Sequence, residues 1–149
     1  MAAKGTFEYG SEKIPMRLTY SLATGKLEDL GIDVLGVLSD GGRTLQTILL
    51  DDKTLIKVWF HFVQEETGDD WETAIEKLDE QEGGLNKFRE DFFQLIVNFS
   101  APPVRKVLVQ AWEQAKIQLK DQKKLKSLLL SQELLDGSES TSESSPSER

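Results

Sequence analysis

Two adjacent prolines, Pro102-Pro103, stand between the two strongest helical patterns in the chain and constrain its architecture more than any other feature. A proline ring cannot donate to the helical ladder and clashes with the preceding turn, so a helix has to end before this pair. The same ring suits a first turn, so Pro103 is well placed at the start of a second helix. Before the prolines, Leu85, Phe88, Phe92, Phe93, Ile96 and Phe99 mark a strongly amphipathic helix. After them, Val104, Val107, Leu108, Ala111, Trp112, Ala115 and Leu119 follow the i, i+3, i+4, i+7, i+8 spacing closely. Both apolar stripes need other elements to cover them.

Those elements are legible upstream. Gly83-Gly84 breaks the chain before the Leu85 helix, and an earlier short helix places Trp71, Ala74, Ile75 and Leu78 on one stripe. Asp69-x-x-Glu72 gives that helix a capping-box-like start. Asp52 to Glu65, with Asp51 or Asp52 as N-cap, is apolar nearly all round and is expected to be surrounded by its own domain. Thr44 to Leu50 reads equally as helix or strand, and Asp33 to Leu38 as a short turn leading into an exposed Ser39–Gly42 loop. Ser21 to Leu30 predicts a short helix stopped by Gly31, weakened by about 1 kcal/mol at Gly25.

At the N-terminus Thr6 to Tyr9 alternates polar and aromatic, and Ile14, Met16, Leu18 and Tyr20 share one face of a second strand. With a turn at Gly10–Lys13 this predicts a hairpin over about residues 5–20, with Pro15 at a strand start or edge. The expected fold is mainly α: a short N-terminal β-hairpin packed on a small bundle of about five helices, with a long C-terminal helix. A single domain is expected over 1–126, with 127–136 extending the last helix through Leu128-Leu129-Leu130 and Leu134-Leu135. Residues 137–149 are expected to form a disordered acidic Ser/Glu-rich tail, since no apolar residue follows Gly137.

Composition narrows the functional classes. Charged residues are 30% and apolar ones 38% of the chain, as in soluble proteins. The longest apolar-dominated stretch, Leu55 to Val63, is far short of the roughly 20 residues a bilayer requires. The N-terminus has no long apolar run of the signal-peptide kind, so the cytoplasm of the producing cell is expected. The absence of cysteine removes disulfides, thiolate nucleophiles and zinc–sulfur sites. A formal charge of −8 disfavours nucleic acid as the main partner, because phosphate binding runs on clustered Lys and Arg. The charge is segmental, however: −8 over Asp51–Glu82, +5 over Val104–Lys126 and −4 over Ser127–Arg149. Such asymmetry can orient self-association or select a partner.

Catalytic chemistry finds no foothold. His61, the only histidine, lies in the most apolar helix and reads as an inert core or edge residue. No Gly-x-Ser-x-Gly occurs, and the Gly31/Gly36 spacing lacks the Lys and Ser/Thr of a phosphate loop. Asp69-Asp70 with Glu65, Glu66 and Glu72 lacks the alternating ligand order of a calcium loop and reads as a solvated cap. No enzyme, cofactor or metal is expected. Aromatics at helical spacing, Trp59, Phe62, Trp71, Phe92, Phe93, Phe99 and Trp112, read mostly as core, and one of their stripes is the candidate groove for a partner helix.

The order of elements resembles the tail assembly chaperones of long-tailed bacteriophages over roughly Thr6 to Lys120. The residues that carry the likeness are the hairpin Phe7-Glu-Tyr to Met16-Arg-Leu-Thr-Tyr20 and the segment Leu22-Ala-Thr-Gly-Lys-Leu-Glu-Asp-Leu-Gly31. The aromatic helix Leu55-Ile-Lys-Val-Trp-Phe-His-Phe-Val63 and the acidic helix start Asp69-Asp-Trp-Glu-Thr-Ala-Ile75 continue it. Gly41-Gly42, Pro102-Pro103, the basic helix and the Ser/Glu tail depart from the family's layout. The resemblance implies a protein that binds and solubilises the tape measure protein and helps recruit tail tube subunits. It would act in the host cytoplasm and be absent from the mature virion. The alternatives are a structural connector or minor tail component, or a generic helical adaptor.

Overall fold

In the computed structural model, which describes residues 2–140, a positive φ of 63° at Gly10 closes a two-residue turn between antiparallel strands. Primed hairpin turns need that conformation, which a glycine adopts without a Cβ penalty. Strand β1 is Ala2–Tyr9 and strand β2 is Glu12–Thr19, so the hairpin starts earlier than the alternation of Thr6–Tyr9 indicates. The register pairs Ala3 with Leu18, Gly5 with Met16 and Phe7 with Ile14, which puts all the buried strand residues on one face. Pro15 is exposed on the other face, and a two-stranded sheet leaves every strand a free edge that tolerates it.

The chain then continues as α1 (Tyr20–Thr24), α2 (Lys26–Asp29), α3 (Arg43–Leu50), α4 (Asp52–Thr67), α5 (Trp71–Glu80), α6 (Leu85–Phe99) and α7 (Pro102–Ser140). The protein is thus mostly helical, with its hairpin packed on the helices. The expected Ser21–Leu30 helix divides at Gly25, whose φ of −108° and ψ of −96° break the helical path. Thr44–Leu50, ambiguous in sequence, belongs to helix α3. Its entry is held by Asp40, which accepts from the Thr44 N–H at 3.0 Å and from the Thr44 hydroxyl at 2.6 Å. Asp51 is the N-cap of α4, accepting from the Thr54 N–H at 3.1 Å.

Two expectations need correction. The cap of α5 is Asp70, which accepts from the Thr73 N–H at 2.8 Å, one residue later than the Asp69-x-x-Glu72 pattern implies. Asp69 is engaged elsewhere, accepting the Tyr9 hydroxyl at 2.5 Å and pairing with Lys77 at 3.3 Å. Helix α4, expected to be surrounded, buries one stripe only: Leu55, Val58, Trp59, Phe62 and Val63. The helix buried on more than one side is α6, where Leu95 and Val97 join Phe88, Phe92, Phe93, Ile96 and Phe99 in the core.

Helix α6 covers the inner face of the hairpin. A Cβ at Gly5 would stand 3.5 Å from Leu95 Cδ1, so the small residues Ala3 and Gly5 let the helix approach β1 closely. Phe88 meets Phe7 edge-on at 5.2 Å and stacks on Phe92 at 5.7 Å. On another flank Trp112 of α7 lies flat on Phe93, with centroids 4.1 Å apart, and donates its indole N–H to Glu90 at 3.3 Å. The corner at Pro102-Pro103 forms as the sequence predicts, and Arg105 steadies it by donating to the Ser100 and Asn98 carbonyls at 2.9 and 3.0 Å. These bonds satisfy acceptors that a helix end leaves open.

The residues divide into two compact units, one ending at Trp112 and the other beginning at Glu113. Leu108 and Trp112 are the last fully buried positions of the apolar stripe, while Val107 faces solvent. Helix α7 continues through 127–136 and on to Ser140, so residues 137–140, expected in the tail, are helical. The remainder of that expected tail, 141–149, lies outside the described residues.

Truncating Trp112 removes the widest aromatic contact on this flank of α6. Replacement by Ala should cost about 3–5 kcal/mol of unfolding free energy, read from the urea midpoint of the full chain.

Candidate protein-docking surfaces

Of the seven aromatics assigned to partner contact, six sit in the core. Trp59, Phe62, Phe92, Phe93, Phe99 and Trp112 are buried against one another and the hairpin, as the core reading of these stripes expects. A helical aromatic repeat marks a buried face equally well, and here the hairpin and α6 occupy it. Trp71 alone remains outside, 45% exposed, with its ring edge-on to Phe60 at a centroid distance of 5.2 Å.

Exposed apolar residues instead gather where α1, the 33–38 turn, the end of α6 and the start of α7 meet. There a groove of about 300 Å³ is lined by Tyr20, Val34, Leu35, Leu38, Phe99 and Val104, among others. Three large apolar side chains stand exposed on its rim: Tyr20 is 50% exposed, Leu35 57% and Leu38 42%. Val107, one turn beyond Val104 on α7, is 48% exposed and extends the strip. Exposed large apolar side chains matter when they cluster, as these do.

The groove has a fixed shape because its floor is tied to the core. Tyr20 packs edge-on against buried Phe99 at 5.0 Å. The turn bearing Leu35 and Leu38 is anchored from beneath by Thr44, whose buried hydroxyl accepts the Asp33 N–H at 3.1 Å while donating to Asp40. Val34 and Val37 point into the core, leaving Leu35 and Leu38 outward. No periodic element announces these two leucines. The available signal was only that a short turn carried more apolar residues than its buried side could use.

A larger cleft, about 830 Å³, lies between the hairpin, α1 and α4. Lys4, Arg17, Lys26, Glu65 and Glu66 stand around a floor that includes Met16 and Phe62. His61 lines the same cleft, and burial, with Lys26 adding to it, holds its imidazole below the usual range, while Glu65 opposes the shift. Ser21 and Thr19 also line the cleft but share no hydrogen bond with His61 among the described residues, so no nucleophile–base pair is assembled there.

The acidic entry to α5 is structural in the same way. The Asp69 carboxyl is held below its usual range by the Tyr9 hydroxyl and by Lys77, and that of Asp70 by the Thr73 N–H. Burial and the facing Asp69 carboxylate push the Tyr9 hydroxyl well up. The Lys77 ammonium also lies 4.6 Å from the Tyr9 ring centroid, so Tyr9 of β1 meets both Lys77 of α5 and Asp69 just before that helix, and the latter two pair with each other. No group of His, Asp or Glu among the described residues is arranged to hold a metal ion.

Compared with known proteins, the chain matches no family model, no curated protein and no solved structure.

Because His61 is the sole histidine, its imidazole resonances can be followed alone. They should titrate below the usual 6.5 in the folded protein. The neutral ring is favoured by folding, so its contribution is intact above pH 6.5 and is lost as the pH falls through the folded value. Denaturation midpoints at pH 7 and pH 5 should show that loss, and His61→Gln should shrink it.

Proposed function

We propose that the protein is a tail assembly chaperone of the long-tailed bacteriophage type, a binding protein without catalysis. It would take exposed apolar stretches of the tape measure protein, keep that chain soluble, and yield it to tail tube subunits in the host cytoplasm. The observation that carries this reading is the groove at Tyr20, Leu35 and Leu38, whose open apolar rim suits one apolar face of a client helix. The layout of hairpin, leucine-bearing segment, aromatic helix and acidic helix start supports the family assignment. The net charge of −8 supports the solubilising part, since like charge keeps coated complexes apart.

Co-expression with a long helix-rich tape measure protein tests the reading. The client should stay soluble and co-purify; a client left insoluble and unbound sinks the proposal. Mass spectrometry of purified virions distinguishes a chaperone, absent there, from a retained connector or minor tail component. Leu35→Asp combined with Leu38→Asp should lower client capture by about tenfold or more, because it puts charge on the rim. Both side chains are exposed, so circular dichroism and the thermal midpoint should stay close to wild type.

A further inference from the structure

The hairpin keeps a strand edge open beside a wide cleft. A two-residue turn closes on a hydrogen-bonded pair, here Tyr9 and Glu12, and hydrogen-bonded and open pairs alternate from there. Ile14, Met16 and Leu18 therefore bond to β1, while the backbone groups of Lys13, Pro15, Arg17 and Thr19 point away from it. The described residues add no third strand on that side. Strand β1, by contrast, is the one on which α6 packs more closely, and its Glu8 pairs with Lys87 of that helix. Pro15 has no N–H to offer, so the usable part of the β2 edge is its Arg17–Thr19 end. That end borders the cleft of about 830 Å³, whose lining includes Pro15, Met16, Arg17 and Thr19.

Two features say what kind of chain fits this edge. Lys4 and Arg17 stand directly opposite each other on the outer face, in an open pair where side chains approach most closely. Like charges so placed repel, and neither forms an ion pair among the described residues. The hairpin's charges at the cleft are thus positive only, whereas the far wall is mixed in sign, with Lys26, Glu65 and Glu66. Behind the edge the cleft is apolar, with Met16, Leu22 and Phe62. A third strand laid antiparallel along β2 alternates its side chains between these two settings. Its residue opposite Arg17 lies on the outer face beside both cations, and the two neighbours of that residue turn towards Met16 and Phe62.

We infer that β2 accepts an extended peptide as a third strand, and that the segment it takes carries an acidic residue between two apolar ones. The Arg17 N–H and carbonyl exchange hydrogen bonds with the backbone of the acidic residue. Its carboxylate supplies the counter-charge that Lys4 and Arg17 lack. The apolar neighbours cover the exposed parts of the cleft floor. The groove at Leu35 and Leu38 takes no part, so the inference stands apart from the proposed function.

The probe is a fluorescent peptide of about seven residues, a common strand length, alternating valine and aspartate. Its anisotropy should rise to saturation with the full chain, and a peptide alternating valine and lysine should bind about tenfold or more weakly. Backbone methylation separates strand addition from simple charge attraction. Methylating the aspartate nitrogens, which face β2, should weaken binding by about tenfold or more, whereas methylating the valine nitrogens should leave it within about threefold. Lys4→Glu combined with Arg17→Glu should reverse the preference, so that the valine–lysine peptide binds more tightly. This variant exchanges one exposed like-charged pair for another, so the fold should persist, which circular dichroism checks. Hydrogen exchange reads the edge itself: the Arg17 amide should exchange faster than those of Met16 and Leu18 in the free chain, and saturating peptide should slow it. Absence of saturable binding up to about 1 mM overturns the inference. So does equal binding of the two methylated peptides, an unreversed charge preference, or an Arg17 amide already protected in the free chain.

Discussion

A two-stranded hairpin cannot hold itself together in water, and here everything follows from how α6 covers it. The inner face of β1 and β2 offers Phe7, Ile14, Met16 and Leu18, and α6 answers with Phe88, Phe92 and Leu95. The fit depends on what is missing as much as on what is present. At Ala3 and Gly5 the strand has almost no side chain, and Leu95 comes within 3.5 Å of where a Cβ at Gly5 would be. Because α6 is buried on the hairpin side and on the α7 side, its second half carries apolar residues at nearly every position. Helix α4 buries a single stripe, and its Ile56 and Phe60 are only partly covered.

Long-range polar contacts then fix the ends of the elements around this core. Arg89 of α6 donates to the Ile48 carbonyl at 2.8 Å and also bonds Asp52 and Asn86, so one guanidinium ties α3, α4 and α6 together. Arg105 does the same work at the proline corner. The entry to α6 rests on Gly84, with φ of 49° and ψ of −131°, a conformation in which a Cβ is strained. The polar inventory is thus spent on joints between elements. Among the described residues Trp59 is the exception: its buried indole N–H meets no acceptor.

Much of this architecture was legible because period and punctuation agree. Alternation gave the strand faces and the double glycine and double proline bounded α6, whereas Gly25 only weakened the expected Ser21–Leu30 helix that divides there. The errors have physical causes. Asp69-x-x-Glu72 has the spacing of a cap, but the chain uses Asp70 because Tyr9, sixty residues away in sequence, takes Asp69. The six buried aromatics agree with the core half of their reading. Periodicity says that a face is apolar and not what covers it, and here Phe92 is covered by Phe88 and Phe93 by Trp112. The rim leucines Leu35 and Leu38 sit in a turn, where no period exists to be read.

The exposed apolar residues are therefore not spillover from an overfull core. Val34 and Val37 of the same turn are buried to a few per cent, while Leu35 and Leu38 between and beside them face out. A chain under pressure only to be soluble would place polar residues at those two positions, as it does on the outer face of the hairpin with Lys4, Thr6, Lys13 and Arg17. The two apolar surfaces also differ in their setting. The Leu35 groove is lined by apolar residues with Ser39 and Ser100 and no charged group, whereas Trp71 stands beside carboxylates. Burial of the first responds mainly to apolar area, and of the second also to ionic strength. Surfaces with different physical sensitivities can be occupied independently of each other.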